Sequence, residues 1–375
     1  MSKQKTASPA PGAGPRRKTS WRLNVLVLFI FVFLTLAVGE AALRLLWHNS
    51  YAGDSAEHVV HLRVHQANRD YEIDRSQVDD EQPTVRLRTG ARSYVLPSFQ
   101  HEQPSATIAF LGGSTTECAA VREELRFPAR VSQLLDERGW KVNTLNAARS
   151  GSTLHDSINI VFNHVAADRP DIIVVMNAAN DVGCLAGDGD YRSRSGKPLS
   201  LSTVGLWTKN TLTKHVYLAA LARKCFSRGP QPGALHNRKR RTDPAVAKTL
   251  NVDAFRQRLH IFIHLCRDLG IRPVLMTQPF SGSRSELTPD WADLGSQDLF
   301  NEVIREAGSQ EGVLVIDLVR HLKEDVSDWD QPMVVFYDGI HVGDDGSETY
   351  AQYITEKLLP LVEEVAAKKM EASLP

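Results

Sequence analysis

Beyond the N-terminal segment, two short stretches of this chain stay apolar without a break, and they limit its fold more than any other feature. Ile172-Ile173-Val174-Val175-Met176 is one, and Ile108-Ala109-Phe110-Leu111, at the end of the run from Ala106, is the other. A strand with one wet face alternates apolar and polar residues, so an unbroken run needs cover on both faces. Phe127 to Arg138 and Leu154 to Ala167 have helical spacing and lie between these runs. Val142 to Ala147, Pro273 to Thr277 and Val313 to Ile316 read as further strands. Val252 to Leu269 reads as an amphipathic helix with Gly270 placed as its C-cap, and Ser347 to Val365 as a closing helix. Strands separated by helices predict an α/β fold, a parallel sheet with helices on both faces.

Length and charge narrow the classes further. The 375 residues suffice for one large domain or two small ones. Lys plus Arg equals Asp plus Glu at 44 each, so no basic excess supports a nucleic-acid partner. The four cysteines, Cys118, Cys184, Cys225 and Cys266, have no CxxC spacing and suggest no zinc site. No repeat period is visible.

The N-terminus speaks to location. Lys3, Lys5, Arg16, Arg17, Lys18 and Arg22 precede a segment, Leu23 to Gly39, that is apolar apart from Asn24 and Thr35. Extended to Trp47, a helix here is long enough for the ~20 residues a bilayer requires. Trp21 and Trp47 bracket it as interfacial aromatics do, and Glu40 and Arg44 stand four apart, in position to pair. The expectation is a disordered cytoplasmic tail over 1–22 and a signal-anchor helix over 23–47. The basic flank puts the remainder on the periplasmic or extracytoplasmic side of the inner membrane. A cleaved signal peptide is the competing reading, because Ala37-Val38-Gly39 is a small-x-small site.

Residues 48–104 read as a stalk or N-terminal extension, with one short strand suggested by Val59, Val60, Leu62 and Val64. Residues 105–370 form the main domain. Between about 185 and 250 the strand–helix pattern lapses into Gly, Ser, Arg and Lys, which reads as an insertion or lid.

Polar loops follow three of the strands, and ligands in open parallel sheets bind beyond the carboxyl ends of strands. Gly112-Gly113-Ser114-Thr115-Thr116 follows the first strand, Asn146-Ala147-Ala148-Arg149-Ser150-Gly151 the second, and Ala178-Ala179-Asn180-Asp181 the third. Asp338-Gly339-Ile340-His341 stands near the far end. Each block alone is weak, since Gly/Ser turns, Asp-x-x-His pairs and Asn-Asp helix caps are common. All four in order resemble the SGNH (GDSL-like) hydrolase family, across about residues 106–355.

The resemblance implies a three-layer α/β/α, flavodoxin-like fold with a mostly parallel five-stranded sheet. It implies Ser114 as nucleophile, His341 as general base and acid, and Asp338 as the group orienting the imidazole. It further implies an oxyanion hole of the Ser114 N–H, the Gly151 N–H and the Asn180 side-chain amide. No cofactor or metal is called for. Two departures stand out: Gly113 replaces the family's aspartate, and Ala178 replaces its glycine.

The implied activity is that of a membrane-anchored serine esterase acting on acyl esters, O-acetyl groups of envelope glycans or lipids among them. An O-acyltransferase using the same triad is one alternative, and a non-catalytic envelope-assembly or glycan-binding module is another. Several lesser features have bland readings beside functional ones. His58, His61 and His65 lack an acid or cysteine to complete a metal site. Asn237-Arg238-Lys239-Arg240-Arg241 is a solvated loop or a contact for anionic lipid or polysaccharide. Trp207, Tyr217 and Phe226 are lid core or pocket lining. Cys118 and Cys184 follow Ser114 and Asn180 by four residues each, and are two small thiols or a disulfide.

Overall fold

The computed structural model describes residues 21–47, 62–76, 78–186, 189–191, 212, 215–226, 250–281, 294–331 and 334–373. These fall into two compact units.

The smaller unit holds helix α1 (Trp21–Leu46) and the insertion helix here named α6 (Tyr217–Phe226). At ~1.5 Å per residue, the 26 residues of α1 exceed the ~30 Å of a bilayer core. By length and composition it is the one described helix able to cross a membrane, and its apolar side chains are exposed along its length. The Glu40–Arg44 pair forms at 3.0 Å. Glu40 also accepts the backbone N–H groups of Tyr217 and Leu218 at 2.8 and 2.9 Å. These are first-turn amides of α6, which lack acceptors within their own helix. Arg44 donates to the His215 carbonyl at 2.7 Å, and Trp47 packs edge-on against Tyr217.

In the larger unit, five parallel strands are ordered β4-β3-β5-β6-β7. They are β3 (Ala106–Gly112), β4 (Val142–Asn146), β5 (Ile172–Met176), β6 (Arg272–Met276) and β7 (Val315–Ile316). The unbroken apolar runs are explained by cover on both faces. Ala109, Leu111, Ile173 and Val175 join one core with Phe255 and Phe262 of helix α7 (Val252–Asp268). Ile108, Phe110, Val174 and Met176 join the other. There they meet Phe127 of α3 (Phe127–Asp136) and Leu358 of α10 (Asp344–Ser373). Each such side chain, fully buried, contributes about 1.5–3 kcal/mol. Gly270 has φ +74° beyond α7, the left-handed turn expected of it. Helix α4 (Leu154–Asn163) is shorter than its periodicity suggests, ending in a 3₁₀ turn over Val165–Asp168.

The register aligns three strand ends. Phe110 pairs with Asn146, and Gly112 with Met176. The loops after β3, β4 and β5 therefore leave the sheet side by side.

Residues 62–104 pack on the edge of this sheet. A hairpin of β1 (Asp70–Asp74) and β2 (Thr84–Arg88) buries Ile73 and Leu87 against Val95 and Ala119. Val95 bridges Asn146, its N–H donating to the Asn146 carbonyl at 3.0 Å. Leu62 to Val64 joins no strand; the rest of the strand expected there, with residues 1–20 and 48–61, lies outside the described residues. Of the 185–250 insertion, little beyond α6 is described. Helices α8 (Leu294–Glu311) and α9 (Leu318–Asp325), and the hairpin, were not foreseen from the periodicity.

Candidate active site

The site is built where the three aligned loops meet the segment before α10. β3 runs straight into α2 (Ser114–Glu117), a single turn with Gly113 at its N-cap. A side chain at Gly112 would collide with Thr116 and the Met176 carbonyl, and one at Gly113 would strike the Asn180 amide. Both glycines exist for close approach. Ser114 is the first helical residue, so its N–H has no acceptor within the turn. Cys118 at φ +53° ends the helix at once, an unusual left-handed conformation for a residue with a Cβ.

Asp338 and His341 are presented by a tight loop. Phe336 bridges Val342, the Tyr337 N–H donates to the His341 carbonyl at 3.0 Å, and Gly339 takes φ +88°. One carboxylate oxygen of Asp338 accepts the N–H groups of Ile340 and His341 at 3.1 and 2.8 Å. The other meets His341 Nδ1 at 2.6 Å. That contact places the ring proton on Nδ1 and leaves Nε2 as an acceptor, 2.7 Å from Ser114 Oγ. Burial pushes the Asp338 carboxyl upward. The adjacent His341 and the hydrogen bonds outweigh it and hold the group below the usual carboxylate range. His341 is 4% exposed, with the Tyr337 ring stacked on it, while Ser114 is half-buried.

The loops after β5 and β4 carry Asn180 and Gly151. Asn180, in α5 (Ala179–Leu185), donates one amide hydrogen to the Ser152 carbonyl at 2.9 Å and has a second. Its amide nitrogen lies 2.4 Å from where a Cβ on Gly113 would stand. Gly151 has φ +79°, and a Cβ there would lie 2.8 Å from an Arg63 guanidinium nitrogen. Arg63 also donates to the Ser150 carbonyl at 3.1 Å. Ala178, where the resemblance leads one to expect glycine, is fully buried. Asp181 does not cap α5. It is buried and accepts the Leu154 N–H and the Tyr191 hydroxyl, fastening α5 to the start of α4.

Two supporting residues, Glu117 and Gln278, were not singled out in the sequence, and His65 was weighed only for a metal. Glu117, 1% exposed, accepts the N–H of Ser150 at 3.1 Å and its hydroxyl, bracing the loop that ends in Gly151. His65 Nε2 lies 2.9 Å from the other Glu117 oxygen, close but poorly aligned for a hydrogen bond. Gln278, just past β6, donates to Thr115 Oγ1 at 3.0 Å and accepts the Ala179 N–H at 2.9 Å, tying α2 to α5. The only advance signal for Glu117 was an acid three residues after the serine.

Of the lesser candidates, Cys118 and Cys184 are separate thiols hydrogen-bonded to different carbonyls. Burial pushes the Cys118 thiol up to about 12, which leaves it unreactive. His65 is drawn to Glu117, and Tyr217 packs in the smaller unit. His58, His61, Trp207, Asn237–Arg241 and the Phe226 side chain lie outside the described residues.

The model of the GDSL-like Lipase/Acylhydrolase family matches residues 110–349. No curated protein matches the chain. Among solved structures it is similar to a lipase/acylhydrolase from Enterococcus faecalis, at 18% identity and TM-score 0.43 over 68% of this chain and 95% of that one. It is also similar to the acetyl xylan esterase AlAXEase, at 16% identity and TM-score 0.43 over 67% and 98%. An acetylxylan esterase from Geobacillus stearothermophilus gives 17% identity and TM-score 0.41 over 68% and 94%. At these values the likenesses are distant.

Proposed function

Because the chain belongs to the GDSL-like lipase/acylhydrolase family and is thereby an ester-hydrolysing serine hydrolase, we propose that Ser114, His341 and Asp338 are its catalytic triad. We further propose that it works from a membrane anchor, outside the cytoplasm, on short acyl esters of envelope glycans. The observation that carries the reading is the relay of Asp338 to His341 at 2.6 Å and His341 to Ser114 at 2.7 Å.

In this reading His341 Nε2 takes the Ser114 proton as Oγ attacks the ester carbonyl. The negative charge on the tetrahedral oxygen falls to the Ser114 N–H, the Gly151 N–H and the second Asn180 amide hydrogen; each such donor is worth about 3–4 kcal/mol. His341, now an imidazolium held by Asp338, gives its proton to the departing alcohol. Water then attacks the acyl-enzyme and gives its proton to His341 Nε2, which passes it to Ser114 Oγ as the acyl–Oγ bond breaks and the carboxylic acid leaves.

The half-buried position of Ser114 favours water as acceptor. A short acyl group suits the small residues Cys118, Ala119, Ala120 and Val342 beside Ser114. Anchoring is supported by the span-length helix α1, and the orientation by the basic residues before it. The Arg63 guanidinium beside Gly151 supports a polar or anionic substrate such as a glycan.

A fluorophosphonate probe on the full chain in membranes should label Ser114, and Ser114→Ala should abolish both labelling and p-nitrophenyl acetate turnover. Turnover intact in Ser114→Ala overturns the triad. Screening acetylated glycans with and without a sugar acceptor tests the substrate: transfer outpacing hydrolysis would make the enzyme an acyltransferase.

A further inference from the structure

On the helices α7 and α8, away from Ser114, three ligating side chains converge on one point. His260 and His264 stand four apart on α7, one turn from each other on the same face. Glu311 is the last residue of α8. His260 Nδ1 lies 2.8 Å and His264 Nε2 3.3 Å from one and the same atom, Glu311 Oε1. The candidate ligand atoms of the three residues all fall within 4.8 Å of one another. A tetrahedral zinc site with bonds of ~2.0–2.1 Å has ligand-to-ligand edges of about 3.3 Å. The cluster is already near that size.

The carboxylate is held in place for this. Arg267, a further turn along α7, donates to Glu311 Oε2 at 2.7 Å and to the Glu311 carbonyl at 2.5 Å. Arg267 thus fixes one oxygen and leaves the other facing the two imidazoles, the arrangement an outer-sphere partner gives a ligating carboxylate. Its positive charge also opposes a cation, so the affinity expected is micromolar rather than that of a closed four-ligand site.

We propose that His260, His264 and Glu311 bind a divalent transition metal, zinc above all, with water completing the four-coordinate set. Two imidazoles and one carboxylate suit zinc or its neighbours, whereas magnesium and calcium take oxygen ligands. The ligands lie in the distal halves of helices that lead into β6 and β7, while Ser114 lies beyond the far end of β3. The metal would therefore clamp α7 to α8 away from the carboxyl ends of the strands, and take no part in ester chemistry. This inference stands independently of the esterase reading.

The test uses the full chain, without an affinity tag, in detergent and stripped of metal. One equivalent of Co²⁺ should give the visible d–d absorption of a four-coordinate site, and Zn²⁺ should displace it. His264→Ala should weaken zinc binding by at least about tenfold. His264 is largely exposed, so this variant should fold and keep wild-type ester turnover. Glu311→Gln should show the same loss of binding. An unchanged zinc affinity in the His260→Ala/His264→Ala double variant, or no binding by the wild-type chain, overturns the site.

Discussion

At the scale of single residues, Gly113 matters most for what it lacks. Any side chain there meets the Asn180 amide, so Gly113→Ala should act on catalysis through Asn180. We expect kcat to fall about 10²–10³-fold, as when an oxyanion donor is lost, with the fold largely kept. Asn180→Ala should cost a similar factor, and the double variant little more than either. Steady-state kinetics of the three variants decides this, and fully additive losses would separate the two residues. The four motif blocks pick out Ser114, Gly151, Asn180, Asp338 and His341, the residues of the proposed site, because each would need a particular atom at a particular place. Glu117 could not be read the same way. Its sequence context is that of a polar residue on an exposed turn, and its burial depends on Ser150 and His65, both remote in the chain.

At the scale of elements, what could be read followed from burial. β3 and β5 are covered on both faces and announce themselves as apolar runs. The hairpin does not, because Asp70–Asp74 and Thr84–Arg88 each bury a single side chain, Ile73 and Leu87, among charged residues. α8 was hidden by its polar composition, although it packs Phe300, Val303, Ile304 and Ala307 into the core. The joint that binds the hairpin region to the site was equally invisible. Asp344, first residue of α10, accepts both guanidinium arms of Arg75 at 3.2 and 2.9 Å. It also accepts the backbone N–H and Nε of Arg122 at 3.0 and 2.8 Å. The Arg75 side chain is 2% exposed. Asp344→Asn leaves that cation short of its counter-charge, and should destabilise the larger unit by about 2–4 kcal/mol in a denaturant titration. The Asp79 contact at 3.6 Å keeps the loss from being greater. Activity should fall as well, since His341 sits three residues upstream.

For the molecule as a whole, the same pairs set its response to acid. Burial raises the carboxyls of Asp338, Asp344 and Asp317, but the partners of each outweigh it and hold all three below the usual range. The partners are His341 for the first, Arg75 and Arg122 for the second, and Arg305 for the third. A carboxyl whose folded pKa is depressed stabilises fully above its unfolded value of ~4, and loses that contribution as pH falls through the lower, folded value. Unfolding free energy should thus be flat with respect to these groups above pH ~5 and decline steeply below ~4. The decline should be shallower in Asp344→Asn, which a set of melts across that range would reveal. The distance along the chain between Ser114 and His341, 227 positions, has a consequence in time. A polypeptide made N-terminus first displays Ser114 long before His341 exists. α10 follows His341 almost at once and supplies Ile354, Leu358 and Val362 to one core. The segment that brings His341 therefore also brings side chains that close this core. On the proposed triad, a chain that has not yet reached His341 holds at Ser114 only an ordinary alcohol.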